Sequence, residues 1–126
     1  MRSENETLIE DYIRRYNLKD IDGMMALFSD DVVFESISAA TGIMSVQGKE
    51  NLRKLSEKSG EIFKVRRLTP VTTVLDDDNA AVEVNYWAVL AMDLPDGKKA
   101  DEEVEFRGVS FFEIKGGLIS RLTDYM

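Results

Sequence analysis

Apolar residues recur every three or four positions in the first third of the chain and every second position in the last half. Over residues 4–17, Leu8, Ile9, Tyr12, Ile13 and Tyr16 share one face of a helix. Asn17-Leu18-Lys19 breaks that repeat. Asp20 can then cap a second short helix, in which Ile21, Met24, Met25 and Phe28 again repeat at three and four. Ser29-Asp30-Asp31 predicts a turn, and the β-branched and aromatic run Val32–Ile37 predicts a strand. Residues 38–47 are small and mixed. Gly42 argues for a loop there, with room for a short strand over Ile43–Val46. Gln47-Gly48-Lys49-Glu50 leads into a third helix, which carries Leu52 and Leu55 and ends near Ser59-Gly60. Gly48 would permit a tight approach where that helix begins.

From Phe63 onward the pattern is that of strands. Phe63–Leu75 is long, and Pro70 within it implies an edge position or a bulge. Asp76-Asp77-Asp78-Asn79 is a turn. Ala80–Leu94 follows, then the hairpin signal Pro95-Asp96-Gly97, then Glu102–Ile114 and a second hairpin signal at Lys115-Gly116-Gly117. A last strand runs from Gly117 to Met126. Strands joined by short turns are antiparallel. The expected fold class is therefore α+β: a cone-shaped roll, with three N-terminal helices packed on a strongly curved, mainly antiparallel sheet around an apolar pocket.

A strand places alternate residues on opposite faces. In the last strand the even set is Leu118, Ser120, Leu122 and Asp124, and the odd set is Ile119, Arg121, Thr123 and Tyr125. If the even set faces inward, Asp124 sits among apolar neighbours, where its charged form is disfavoured and its pKa rises. Such a carboxyl could take a proton from a carbon beside a carbonyl and return it elsewhere. The plainer reading is a rim aspartate paired with Arg121, Arg66 or Arg67, or simply solvated. Phe34, Tyr86, Phe106, Phe112 and Leu122 fall on the inward parity, and Ser36 and Ser110 are small polar positions facing the same space. Trp87, Val89, Val109, Phe111 and Tyr125 fall on the other parity, giving an outer face apolar enough for a second copy of the chain to cover, as a homodimer. Met24, Met25, Met44, Met92 and Met126 fit as core gap-fillers. Glu35, Glu83 and Glu105 alternate with apolar residues and are expected in solvent.

Composition narrows the chemistry. With 126 residues the chain is long enough for one domain with a real core. Histidine and cysteine are both absent, which removes imidazole bases, thiol nucleophiles, catalytic triads, disulfides and the usual zinc sites. No cofactor and no metal site are expected, and the acidic run at 76–78 reads as a turn because nothing nearby completes a ligand set. The net charge of −8 disfavours nucleic acid and anionic lipid as partners. No run approaches a membrane span and no signal-peptide core is visible, so a cytoplasmic location is the default expectation.

Asp20-Ile21-Asp22-Gly23-Met24-Met25-Ala26-Leu27-Phe28-Ser29-Asp30-Asp31-Val32-Val33-Phe34 resembles the opening of the NTF2-like superfamily, and Val46-Gln47-Gly48-Lys49-Glu50 resembles its lead into the third helix. Arg107-Gly108-Val109-Ser110-Phe111-Phe112 and Gly117–Tyr125 resemble its last two strands, most nearly in the SnoaL-like polyketide cyclase branch. The resemblance implies that Asp124 matches the general acid/base of those cyclases. It implies that Tyr12 matches the helix-one tyrosine of ketosteroid isomerases; the plainer reading of a tyrosine on a helix's apolar face is a core residue with its hydroxyl at the edge. The two acids of those isomerases fall on Ser36 and Ser110, which argues against steroid isomerase activity. Limonene-epoxide hydrolases need an Arg-x-Asp pair on a middle strand. Here that strand reads Val82-Glu83-Val84-Asn85-Tyr86-Trp87-Ala88, without the pair.

Two function classes follow. The first is a cofactor-free enzyme, an isomerase or aldol-type cyclase for a small apolar carbonyl compound, with Asp124 and Tyr12 as catalytic residues and Phe34, Ser36, Tyr86, Phe106, Ser110, Phe112 and Leu122 holding the substrate. The alternative is a ligand-binding or dimerisation module without catalysis.

Overall fold

The computed structural model describes residues 2–39 and 42–126, with Arg2 described by its backbone alone. Ala40 and Thr41, inside the stretch expected as a loop, lie outside the described residues. Among the described residues three helices, α1 (Arg2–Asn17), α2 (Ile21–Met25) and α3 (Lys49–Ile62), accompany six strands: β1 (Phe28–Ser38), β2 (Gly42–Gln47), β3 (Phe63–Leu75), β4 (Asn79–Leu90), β5 (Glu103–Lys115) and β6 (Leu118–Tyr125). The strands form one open, curved sheet in the order β2-β1-β6-β5-β4-β3. Every neighbouring pair is antiparallel except β1 with β6. This is the α+β roll that the patterning predicts.

Parity builds the core. On β4 every even residue from Ala80 to Leu90 is buried and every odd one is half-buried. The even face meets Ile9, Tyr12 and Ile13 of α1, Met24 and Met25 of α2 and Leu52 of α3. Burying such side chains supplies roughly 1.5–3 kcal/mol each. Two asparagines fasten α1 to the sheet. Asn17 both donates to the Leu68 carbonyl, at 3.1 Å, and accepts from the Leu68 amide, at 2.8 Å, while Asn5 donates to the Asp77 carbonyl at 2.8 Å. Pro70 fits for both reasons that the sequence offers. Strand β3 lies at the sheet edge, and its register with β4 shifts between Pro70 and Thr72.

Several expectations are corrected. Ser29-Asp30-Asp31 is not a turn. The chain turns earlier, at Ala26–Leu27, so Phe28 opens β1 instead of closing α2, and an irregular register between Phe28 and Val33 absorbs the acidic residues. Strand β4 stops at Leu90, because the hairpin beyond it is closed by its own bonds, Leu94 N–H to the Lys98 carbonyl and Ala100 N–H to Asp93 Oδ1. Helix α3 runs through Gly60 to Ile62. Gly48 serves backbone conformation rather than close approach: its φ is +90°, and a Cβ there would meet nothing within 4 Å.

The even parity of β6 holds only for its second half. Register jumps from Glu113↔Arg121 to Ile114↔Ile119, which leaves Ser120 as an extra residue whose hydroxyl donates to the Glu113 carbonyl at 3.2 Å. The bulge puts Ile119, not Leu118, in the core. On the outer face, Val109 pairs beside Tyr125 and Tyr125 beside Ile37, making a narrow apolar band. Trp87 stands apart from that band, its indole N–H donating to Glu103, with the Arg107–Asn85 bond between. Glu35 is not simply solvated: it pairs with Arg121.

Candidate functional site

Asp124 sits near the end of β6, in register with Ser36 on β1 and Ser110 on β5. Residues directly opposite one another point to the same face, so the carboxyl has a small hydroxyl residue on each side. Ser110 Oγ donates to Asp124 Oδ1 at 2.7 Å. The residue keeps part of its surface open and lines a cavity, while the carboxyl itself lies deep among protein atoms. Burial pushes its pKa up from 3.8 to about 6, against the opposing pull of the Ser110 hydrogen bond. Among the described residues Asp124 has no ion-pair partner. The three arginines considered as partners are committed or placed elsewhere: Arg121 pairs with Glu35, Arg66 donates to the Tyr16 carbonyl, and Arg67 is exposed.

The cavity has a volume of about 250 Å³ and lies between the concave sheet face and the three helices. It falls just below the usual range for small-ligand sites, roughly 300–1,000 Å³. Of the residues that the sequence singles out, Asp124, Tyr12, Phe34, Ser36, Tyr86, Phe106 and Leu122 line it. Tyr12 belongs to both core and cavity. Its ring packs edge-on to Phe28 and Phe112, and burial together with the Asp124 charge pushes its hydroxyl well above the usual tyrosine pKa.

Two predicted lining residues are corrected. Ser110 is buried and reaches the cavity only through the carboxyl it supports. Phe112 lies one pleat further along β5, where α1 closes down on the sheet. It is fully buried, its ring 5.6 Å from that of Tyr12, and it lines no part of the cavity.

The structure adds walls that the sequence reading did not assign. Tyr16 and Phe63 complete an aromatic cluster around Tyr86. The Tyr16 and Tyr86 hydroxyls are hydrogen-bonded at 3.0 Å, and Phe106 stacks on Tyr86 at 4.8 Å. Leu55, Ser56 and Ser59 of α3, Met44 of β2 and Met126 also line the space. Arg66 is the unexpected member. It is buried, its guanidinium 3.8 Å from the centre of the Tyr16 ring. Its signal was available: on β3 it shares inward parity with Leu68, a charge where an apolar residue would be expected.

Comparison with known proteins places this arrangement. The SnoaL-like domain profile matches residues 9–122. The chain belongs to the SnoaL-like domain family. No curated protein matches it by sequence. Solved structures share its fold. A candidate polyketide cyclase of Xanthomonas campestris pv. campestris superposes with a TM-score of 0.88 at 20% identity, covering 99% of this chain and 91% of that one. A candidate polyketide cyclase of Silicibacter sp. TM1040 gives 0.80 at 25% identity, covering 95% and 86%. An M. tuberculosis epoxide hydrolase of the LEH-like type gives 0.78 at 18% identity, covering 98% and 82%. This SnoaL-like domain therefore has the NTF2-like fold, which the last two strands and the Asp20–Phe34 stretch suggest.

Proposed function

We propose that this SnoaL-like domain is an enzyme that moves a proton on a small, apolar, carbonyl-bearing molecule using only its own side chains, by isomerisation or aldol-type cyclisation. The observation that carries this reading is Asp124, a carboxyl buried at the cavity wall, held by Ser110 and free of any ion-pair partner among the described residues. With a pKa of about 6 it is mainly ionised near neutral pH, yet basic enough to accept a proton from carbon.

In the first step the carboxylate removes a proton from the carbon beside the carbonyl. The C–H electron pair becomes the new C=C bond, and the carbonyl π electrons move to oxygen. The Tyr12 hydroxyl is the donor best placed to receive that developing charge, since it lines the same cavity and stays protonated. Where the substrate carries a C=C bond beyond that carbon, the intermediate is a dienolate; the protonated Asp124 returns its proton to the far end of that C=C, the carbonyl re-forms, and the double bond has moved into conjugation. Alternatively, the enolate carbon attacks a second carbonyl of the same molecule, and Asp124 protonates the resulting alkoxide. The apolar walls exclude water from the intermediate. Two fold relatives named as cyclases and one named as an epoxide hydrolase support catalysis in this architecture in general.

The test is proton exchange. In D2O the protein should accelerate deuterium uptake at the carbon beside the carbonyl of 2-tetralone, an apolar ketone. Asp124→Asn should lower that rate by about 100-fold or more while 2-tetralone still binds. Equal exchange by the variant would overturn the proposal.

The second reading, binding without turnover, draws on one observation: among the described residues lining the cavity, Asp124 is the single carboxylic acid. Binding of 2-tetralone with no exchange above that of buffer is the outcome it expects.

A further inference from the structure

The acid/base reading leaves one charged group in the cavity without a task. Arg66 is 4% exposed and lines the same space as Asp124. Among the described residues it has no carboxylate partner. Its Nε and Nη2 donate to the Tyr16 carbonyl, at 3.3 and 3.2 Å, and its central carbon lies over the Tyr16 ring, 3.8 Å from the ring centre. Nη1 makes no hydrogen bond to the described residues. A buried cation is costly to desolvate, and a carbonyl and a ring face repay only part of that cost. A guanidinium held by a carbonyl and a ring face at a cavity wall, with Nη1 uncommitted, is suited to the two oxygens of a carboxylate.

We propose that Arg66 anchors a carboxylate on the ligand of this cavity, so that the substrate is an apolar keto acid rather than a neutral ketone. This rests on the cavity being the ligand site, as in the proposed function, but not on Asp124 performing chemistry. The titratable groups facing the space are Asp124, Arg66, Tyr12, Tyr16 and Tyr86. Asp124 and Arg66 act in opposite senses on all three tyrosine hydroxyls. Burial and Ser110, not Arg66, set the proton affinity of Asp124. The two charges are therefore not each other's counter-ion. A keto acid with its carboxylate at Arg66 would lay its body along the Tyr16–Tyr86 wall and bring its carbonyl end toward Asp124.

The experiment compares 2-naphthoate with 2-naphthamide, matched in shape and differing in charge, by calorimetric titration. At about pH 5 the free acid is ionised and Asp124 is largely protonated, which removes its repulsion of an anion. The wild-type protein should bind the carboxylate about tenfold tighter or more. Arg66→Gln should abolish that preference while keeping naphthamide affinity, and Arg66→Lys should keep part of it. Equal affinity for the two probes, or a preference that survives in Arg66→Gln, would overturn the proposal. Because Arg66 also braces Tyr16, a variant-free readout is added: the carboxyl-13C signal of bound naphthoate should titrate at lower pH than that of the free acid. An unshifted titration counts against the anchor. Asp124→Asn separates the two readings. Exchange retained in Asp124→Asn with the carboxylate preference intact removes the acid/base reading and leaves the anchor standing; exchange lost in Asp124→Asn with no preference in the wild type removes the anchor alone.

Discussion

Ser110 Oγ lies 2.7 Å from Asp124 Oδ1, and the two residues face each other directly across the β5–β6 pair. The hydroxyl opposes what burial does, because it donates to the charged form of the carboxyl. Ser110→Ala leaves burial in place and removes the donor. A hydrogen bond to a charged group is worth roughly 1.5–3 kcal/mol, so the pKa of Asp124 should rise above its present value by about one to two units. The ionised base then appears at higher pH, and the acid limb of the exchange rate moves the same way. A pH profile of 2-tetralone exchange checks this, and an unmoved midpoint would mean that Ser110 does not tune the acid.

The same carboxyl couples folding to pH. Its pKa in the folded protein, about 6, stands above the ordinary aspartate value of 3.8 expected on unfolding. The folded state therefore holds the proton more tightly. The stability this contributes is fully present below about pH 4 and is lost as pH rises through about 6. The loss is about 3 kcal/mol. Asp124→Asn has no charge to bury. It should match the wild type at low pH and exceed it by about 2–3 kcal/mol near pH 8, even as turnover is lost. Urea denaturation of both proteins at the two pH values measures the difference, and other titrating groups largely cancel between them. A variant no more stable than wild type at the higher pH would show that the carboxyl is not desolvated.

How much of this was legible in the sequence depends on how local the cause is. Alternation over Val82-Glu83-Val84-Asn85-Tyr86 sets the inward face of β4, and the aspartate cap and Met24–Met25 spacing announce α2. Asp124 is readable for the same reason, as a charge on the parity of Leu122. Parity fails where an extra residue enters: nothing in Leu118-Ile119-Ser120 signals the bulge that exchanges Leu118 for Ile119. The lining residues of α3 and β2 are unreadable from their own segments, because what they face is decided by the way β1 and β6 curve the sheet. Parity also cannot say how far along a strand the cavity extends. That distance separates Phe106, which lines it, from Phe112, which does not.

Gly108 marks a second close fit near the site. It is buried on β5, and a Cβ there would lie 2.6 Å from the Tyr125 carbonyl oxygen and would also strike the Met126 sulfur. The sulfur can swing aside, but the carbonyl belongs to the backbone just beyond Asp124. Gly108→Ala should cost about 1–3 kcal/mol as an overpacking change. It should also weaken naphthamide binding, because Met126 lines the cavity. Denaturation and titration of the one variant check both effects, and a neutral result in both would mean that the chain end yields freely.

Phe106 and Phe112 share a strand, a parity and a ring, yet the structure gives them different work. Phe106 is 41% exposed and stacks on Tyr86 with an interplanar angle of 16°. Replacing it with alanine removes a stacking contact worth about 0.5–1.5 kcal/mol and opens the cavity wall, so naphthamide should bind about tenfold more weakly while stability falls only modestly. Phe112 is fully buried against Tyr12 and away from the cavity. Phe112→Leu should lower stability more than Phe106→Ala does, because a buried ring is replaced by a smaller side chain where the surroundings relax only partly, and it should leave naphthamide affinity within a few-fold. The comparison is made by urea denaturation and calorimetric titration of the two variants in parallel. The reverse pattern, with binding lost at Phe112 and stability lost at Phe106, would place the cavity mouth at the wrong end of β5.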